Sequence, residues 1–134
     1  MFDSLETSAS ALMAQRTRMD TIAGNVANIN TTRNAQGERV PYQRRFVVFT
    51  PGRAENPSAP GVRVAQIGLD RTPFRRVFEP GHADADKDGY VMYPNIDLAI
   101  EQVNMLDASR AYEANVTMME TTKAMINATL RLIA

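Results

Sequence analysis

Apolar residues return every seven positions at both ends of this chain. Near the amino terminus they stand at Leu5, Leu12, Met19 and Val26, with Ala9, Ile22, Ala23 and Ile29 in the adjacent turns. From Ser4 to Ile29 there is no proline and a single glycine, Gly24. The spacing predicts one amphipathic helix roughly 40 Å long, at about 1.5 Å per residue. Asp3 or Ser4 is placed to cap its start, with Glu6 in the first turn where the helix dipole favours an acid. The run Asn28-Ile29-Asn30-Thr31-Thr32 ends it, because these side chains compete for backbone hydrogen bonds. The other end repeats the pattern at greater length, through Leu98, Met105, Tyr112, Met119, Ile126 and Ile133. Ala108, Val116 and Leu130 widen that stripe, and Val103 and Leu106 lie beside it. With no glycine or proline after Pro94, a helix from about Asn95 to Leu132 is predicted, close to about 57 Å long.

The intervening segment lacks the seven-residue repeat and follows a different pattern. Residues from Val40 to Phe49 are rich in β-branched and aromatic side chains and read as a strand. Three prolines and two glycines between Pro51 and Gly61 make a loop. Val62 to Ile67 alternates apolar and polar as a half-buried strand, Pro73 to Phe78 reads as a further short strand, and Tyr90 to Tyr93 as a last extended piece. The predicted fold is therefore mainly α with a β insert, of α+β class. Residues 1–32 and 95–134 pair as a coiled-coil-like stem, and residues 33–94 form a small β-rich domain with loops. That insert is marginal as a separate unit without support from the helices. Each helix carries an apolar face too long for the insert to cover, so the remainder needs other copies or other proteins. Eight methionines give those faces adaptable contact surface.

Composition narrows the chemistry. The chain has 134 residues, fifteen basic and fifteen acidic, and no cysteine. Disulfide frameworks, thiolate metal sites and a cysteine nucleophile are excluded, and the single histidine, His82, leaves no multi-histidine metal site. No apolar run reaches the ~20 residues of a membrane span, and the first residues lack the basic and apolar regions of a secretory signal. The zero net charge conceals segregation: residues 33–76 carry +6, and residues 79–120 carry −7. Such a chain is suited to stack basic belt on acidic belt between copies, with Arg44, Arg45, Arg75 and Arg76 as possible contacts.

Two local patterns suggest binding. Asp84-Ala85-Asp86-Lys87-Asp88-Gly89 matches the opening of a calcium loop, but its twelfth position is Asn95 rather than a bidentate glutamate, and Pro80-Gly81 blocks an incoming helix. It reads as an acidic turn in which Gly89 supplies a positive φ. The arginine belt is interleaved with Tyr42, Phe46, Phe49, Phe74 and Phe78, as in binders of single-stranded nucleic acid, yet it lacks lysine and an RNP-like motif. His82 has no nucleophile or second histidine beside it, so no catalytic residue, metal site or cofactor is assigned. The sequons at Asn30, Asn115 and Asn127 read as chance.

Three segments carry a family resemblance that covers essentially the whole chain. Ala23-Gly24-Asn25-Val26-Ala27-Asn28-Ile29-Asn30-Thr31 resembles the N-I-A-N-x-N-T signature of bacterial flagellar rod and hook proteins. Glu79-Pro80-Gly81-His82-Ala83-Asp84-Ala85-Asp86, followed by Gly89-Tyr90-Val91 and Pro94-Asn95-Ile96, is similar to a stretch of the FlgC family of proximal rod proteins. Ala108-Ser109-Arg110-Ala111-Tyr112-Glu113-Ala114-Asn115-Val116 resembles that family's carboxy-terminal helix signature. The resemblance implies a non-enzymatic subunit of the flagellar basal-body rod, exported unprocessed through the flagellar type III channel. Its terminal helices would form the inner tube around that channel. Expected partners are further copies, other rod proteins, the membrane ring at the rod base and the export apparatus. Neither nucleic acid nor membrane insertion is expected. The subunit contacts expected on the helices are Leu5, Leu12, Met19, Ile22 and Val26, then Leu98, Met105, Tyr112, Val116, Met119, Ile126, Leu130 and Ile133. The competing reading is a small β module binding calcium or single-stranded nucleic acid, with coiled-coil arms for oligomerisation.

Overall fold

A computed structural model describes residues 2–133. Helix α1 spans Phe2–Ala27, and four strands follow: β1 Arg45–Pro51, β2 Val62–Leu69, β3 Arg75–Phe78 and β4 Tyr90–Tyr93. Helix α2 spans Leu98–Ile133 and closes the order. This is the α+β arrangement the change of pattern predicts, with long helices at the ends and strands between. None of the described helices is long and apolar enough to cross a membrane.

Both helix boundaries differ from the periodic reading by two or three residues, and side chains explain each shift. At the end of α1 the Asn28 side-chain amide donates to the Gly24 carbonyl at 2.8 Å, and Thr31 Oγ1 donates to Asn28 Oδ1 at 3.1 Å. The carbonyl that would continue the helix is thereby shared, and the chain turns after Ala27. Helix α2 starts at Leu98 instead of Asn95 because Asp97 is its cap. Asp97 Oδ1 accepts from the amides of Ala99 at 2.9 Å and Ile100 at 3.3 Å, two donors with no partner inside the helix.

The strands form two separate antiparallel pairs, β1 with β2 and β3 with β4. Arg45 faces Leu69 at one end of the first pair and Pro51 faces Val62 at the other, with a bulge between Val48 and Phe49. The strand predicted from Val40 starts only at Arg45. The preceding residues are held sideways: the Tyr42 amide donates to the Thr31 carbonyl at 3.0 Å, and Gln43 Nε2 to the Asp70 carbonyl at 2.7 Å. In the second pair Val77 faces Val91. Two-stranded pairs are marginal alone in water, so both depend on what they pack against.

The helices run antiparallel side by side, with Asn25 of α1 against Glu101 of α2 and Met19 against Ser109. The β1–β2 hairpin lies along α1. It is held near the start of that helix by the Val62 amide donating to Ser10 Oγ at 3.1 Å and by an ion pair between Arg53 and Glu6. Prolines aside, only Ala14, Ile22, Val91, Ile96 and Ala108 are buried among the described apolar residues. Each larger one contributes about 2 kcal/mol, a thin core for a chain of this length.

Candidate functional site

The tightest polar cluster joins three elements at one point. Asn25 on α1 and Glu101 in the first turns of α2 are both 0% exposed. Asn25 Nδ2 donates to the Arg45 carbonyl at 2.8 Å and to Glu101 Oε2 at 3.1 Å, while Asn25 Oδ1 accepts from the Arg45 amide at 2.9 Å. Arg44 completes the set with Nε and a terminal nitrogen on Glu101 Oε1, at 2.8 and 2.7 Å, and reaches Asp70 at 3.5 Å. The asparagine amide satisfies a strand edge on one side and a carboxylate on the other, which only a side chain with both donor and acceptor achieves. A buried carboxylate is tolerable here because a forked arginine neutralises it. Arg44, expected as a possible contact between copies, has its charge engaged with Glu101 and Asp70 of its own chain. Glu101 was not marked by the sequence reading. The available signal was a carboxylate three residues after Leu98, inside the apolar stripe shared by Ala108.

A second cluster holds the acidic turn. Asp84 accepts from Thr32 Oγ1 at 2.6 Å and pairs with Arg33, which ties the exit of α1 to the turn before β4. These contacts hold the Asp84 carboxyl below the usual carboxylate range, the Thr32 hydroxyl being the first cause and Arg33 the second. Asp86 Oδ1 accepts from the amides of Asp88 and Tyr90, both at 2.9 Å, and the Tyr90 amide leads in lowering its pKa. Arg76 lies 3.3 Å from Asp86 and stacks 4.1 Å above the Tyr90 ring. Gly89 has φ of 85°, and a Cβ there would meet the Phe78 ring at 2.9 Å. Asp84 and Asp86 thus have separate duties in building the turn, and Asp88 contributes its backbone amide. Among the described residues no group of three or more acidic or histidine side chains is arranged to hold a metal ion.

Some of the remaining signature residues support the acidic turn, and others lie apart from both clusters. Glu79 Oε2 accepts from the Tyr93 hydroxyl at 2.8 Å, which raises the Tyr93 pKa. His82 Nδ1 accepts from the Asp84 amide at 3.0 Å, and its ring meets Tyr93 edge-on. Pro80 and Gly81 form the exposed bend between them, and Pro94 is buried just before α2. Asn95 donates to Thr72 Oγ1 at 2.9 Å. Ala27 and Asn30 are exposed beside the Asn28–Thr31 cap, and Arg110 is exposed on α2. Ala111 and Tyr112 are half-buried, and Asn115 donates to the Ala111 carbonyl at 2.7 Å within the helix.

The apolar stripes divide where α1 runs out. Leu5, Leu12, Met19 and Val26 are half-buried and Ile22 is buried; Met105, Tyr112, Val116, Met119 and Ile126 are half-buried on α2. Leu98, Leu130 and Ile133 stand open, Ile133 being 79% exposed. Of the arginines, Arg45 stacks on Tyr42 and Arg75 on Tyr93, both exposed to solvent.

Comparison with known proteins points one way. The model of the family described as "Flagella basal body rod protein" matches residues 5–36, and that of "Flagellar basal body rod FlgEFG protein C-terminal" matches residues 87–132. A flagellar basal-body rod protein FlgC of Borreliella burgdorferi is 38% identical, covering 99% of this chain and 97% of its own length. The FlgC protein of Bacillus subtilis is 42% identical over 93% of each chain, and that of Salmonella typhimurium 39% over 95% of this chain and 93% of its own.

Proposed function

The chain belongs to the FlgC family of flagellar basal-body rod proteins, and we propose that it builds the proximal rod through its two terminal helices, as a subunit of the tube around the export channel. It is a structural subunit and not an enzyme. The observation that carries the helical mode is the difference in length between the two helices, 26 residues against 36. Antiparallel pairing leaves the last turns of α2 with no helix opposite, and Leu130 and Ile133 continue the apolar stripe into open solvent. Large apolar side chains kept in register beyond the end of their partner suit packing against another subunit.

In this reading residues 1–32 and 95–134 are the inner stem, and residues 33–94 lie outside it. Contacts run through the Leu5–Val26 and Leu98–Ile133 stripes to other copies, other rod proteins and the membrane ring at the rod base. The chain reaches the periplasmic rod through the flagellar export apparatus without a cleaved signal peptide. The calcium alternative is not favoured, since Asp84 and Asp86 are engaged in the turn itself. The test is electron microscopy of cells lacking the chain, with complementation. Loss of rods and filaments, restored by the intact gene, is expected; normal rotating flagella in the deletion would refute the assignment.

A further inference from the structure

Deepening the rod reading and resting on it, we infer that the overhanging end of α2 from one copy seats in a groove between α1 and the β1–β2 hairpin of the next copy. The groove has a volume of about 610 Å³ and is floored by Ala9, Met13, Ala14, Val62 and Val64. Met13 is 74% exposed, an unbranched side chain that its own chain leaves largely uncovered. The occupant follows from the helix pairing. Asn25 meets Glu101 and Met19 meets Ser109, so the start of α1 lies near Met125, and the turns from Ile126 to Ile133 pass beyond it. Those turns form a rod about 12 Å long, of apolar side chains at one helical face. Their counterpart in shape and chemistry is an open apolar trough rather than a flat surface.

Charge at the two sites is complementary. Arg63 lines the groove, its Nε is buried without a hydrogen-bond partner, and it makes no ion pair among the described residues. The end of a helix presents carbonyl groups with no partner and carries partial negative charge, which suits that guanidinium. Glu55, also on the groove, has no cationic partner among the described residues, and α2 carries Arg131 in its last turn. An incoming helix end thus brings acceptors for Arg63 and a cation for Glu55. Because overhang and groove are different patches, the contact is head-to-tail and extends from copy to copy instead of closing as a two-fold pair.

The absence of cysteine allows a clean test with the full chain in living cells. Chains carrying Met13→Cys and Leu130→Cys together are expected to give a ladder of multiples on oxidation, while either single variant stays monomeric. Both positions are exposed, so the substitutions remove little internal packing. A double variant that stays monomeric in flagellated cells overturns the pairing. So does a Leu130→Cys single variant that forms dimers, since two overhangs would then be meeting each other. In a second measurement, Glu55→Arg lowers the amount of chain in purified basal bodies about fivefold, the upper end for one exposed ion pair. Arg131→Glu added to it restores the amount; failure to restore counts against the pairing. Absence of the unmodified chain from basal bodies would sink the rod reading itself, while the ladder would still judge the pairing.

Discussion

Asn25 and Glu101 do at single-residue scale what a larger apolar core does in other proteins. Replacing Glu101 by Ala leaves Asn25 and Arg44 facing each other with no acceptor between them. Breaking a buried pair in this way costs about 3 kcal/mol, with Arg44 partly solvated, and urea unfolding of the monomer will read it. Glu101→Gln retains an acceptor and is expected to lose less. Acid acts on different residues. Asp84 is held low first by Thr32, Asp86 by the Tyr90 amide and Asp70 by the Thr72 amide. A carboxyl depressed in the folded state stabilises it in full above its unfolded value, and that stability is lost as pH falls through the folded value. The melting temperature should therefore fall in the acid range below the ordinary aspartate pKa, and Asp84→Asn should flatten that fall. The signature asparagines and the Asp84 turn were legible as a family pattern, and Gly89 as a positive-φ position. Their tasks were not, because Arg44 lies 57 residues from Glu101 and no local spacing connects them.

At the scale of elements, what could be read was whatever has a local signal. Both helices follow from seven-residue repeats and β2 from alternation, while the other extended segments follow from β-branched and aromatic residues between turn signals. Their ends did not follow, since Asn28 and Asp97 set them through particular hydrogen bonds. Nor did the separation of the strands into two pairs, which depends on long-range register. The β3–β4 pair hangs on its turn. Gly89→Ala forces a Cβ onto the Phe78 ring at a φ that side chains avoid, and a loss of about 1–2 kcal/mol is expected from calorimetric melting. Within α2 the amides should divide into two classes. Those from Glu101 to Met119 are covered by α1 and should exchange slowly with deuterium; those after Ile126 should exchange much faster in dilute monomer.

For the whole molecule, stability and assembly reside in different places. Removing residues 127–134 takes away a stretch whose described residues, 127–133, are all exposed, so the melting temperature should change little. Flagella should nevertheless be lost, which swimming assays and microscopy of the truncated strain will show. The seven-residue stripes foretold unmet surface, but not that it begins where α1 stops, because relative length matters only once the helices are paired. The tie between Asn25 and Glu101 bears also on time. The two residues stand 76 positions apart, and a chain emerging amino end first offers α1 no carboxylate and no facing helix until the last third follows. Closing so long a loop comes late and slowly compared with local contacts. Through most of its emergence the first helix therefore has at most the β1–β2 hairpin against it, and it gains its facing helix only when the last third of the chain arrives.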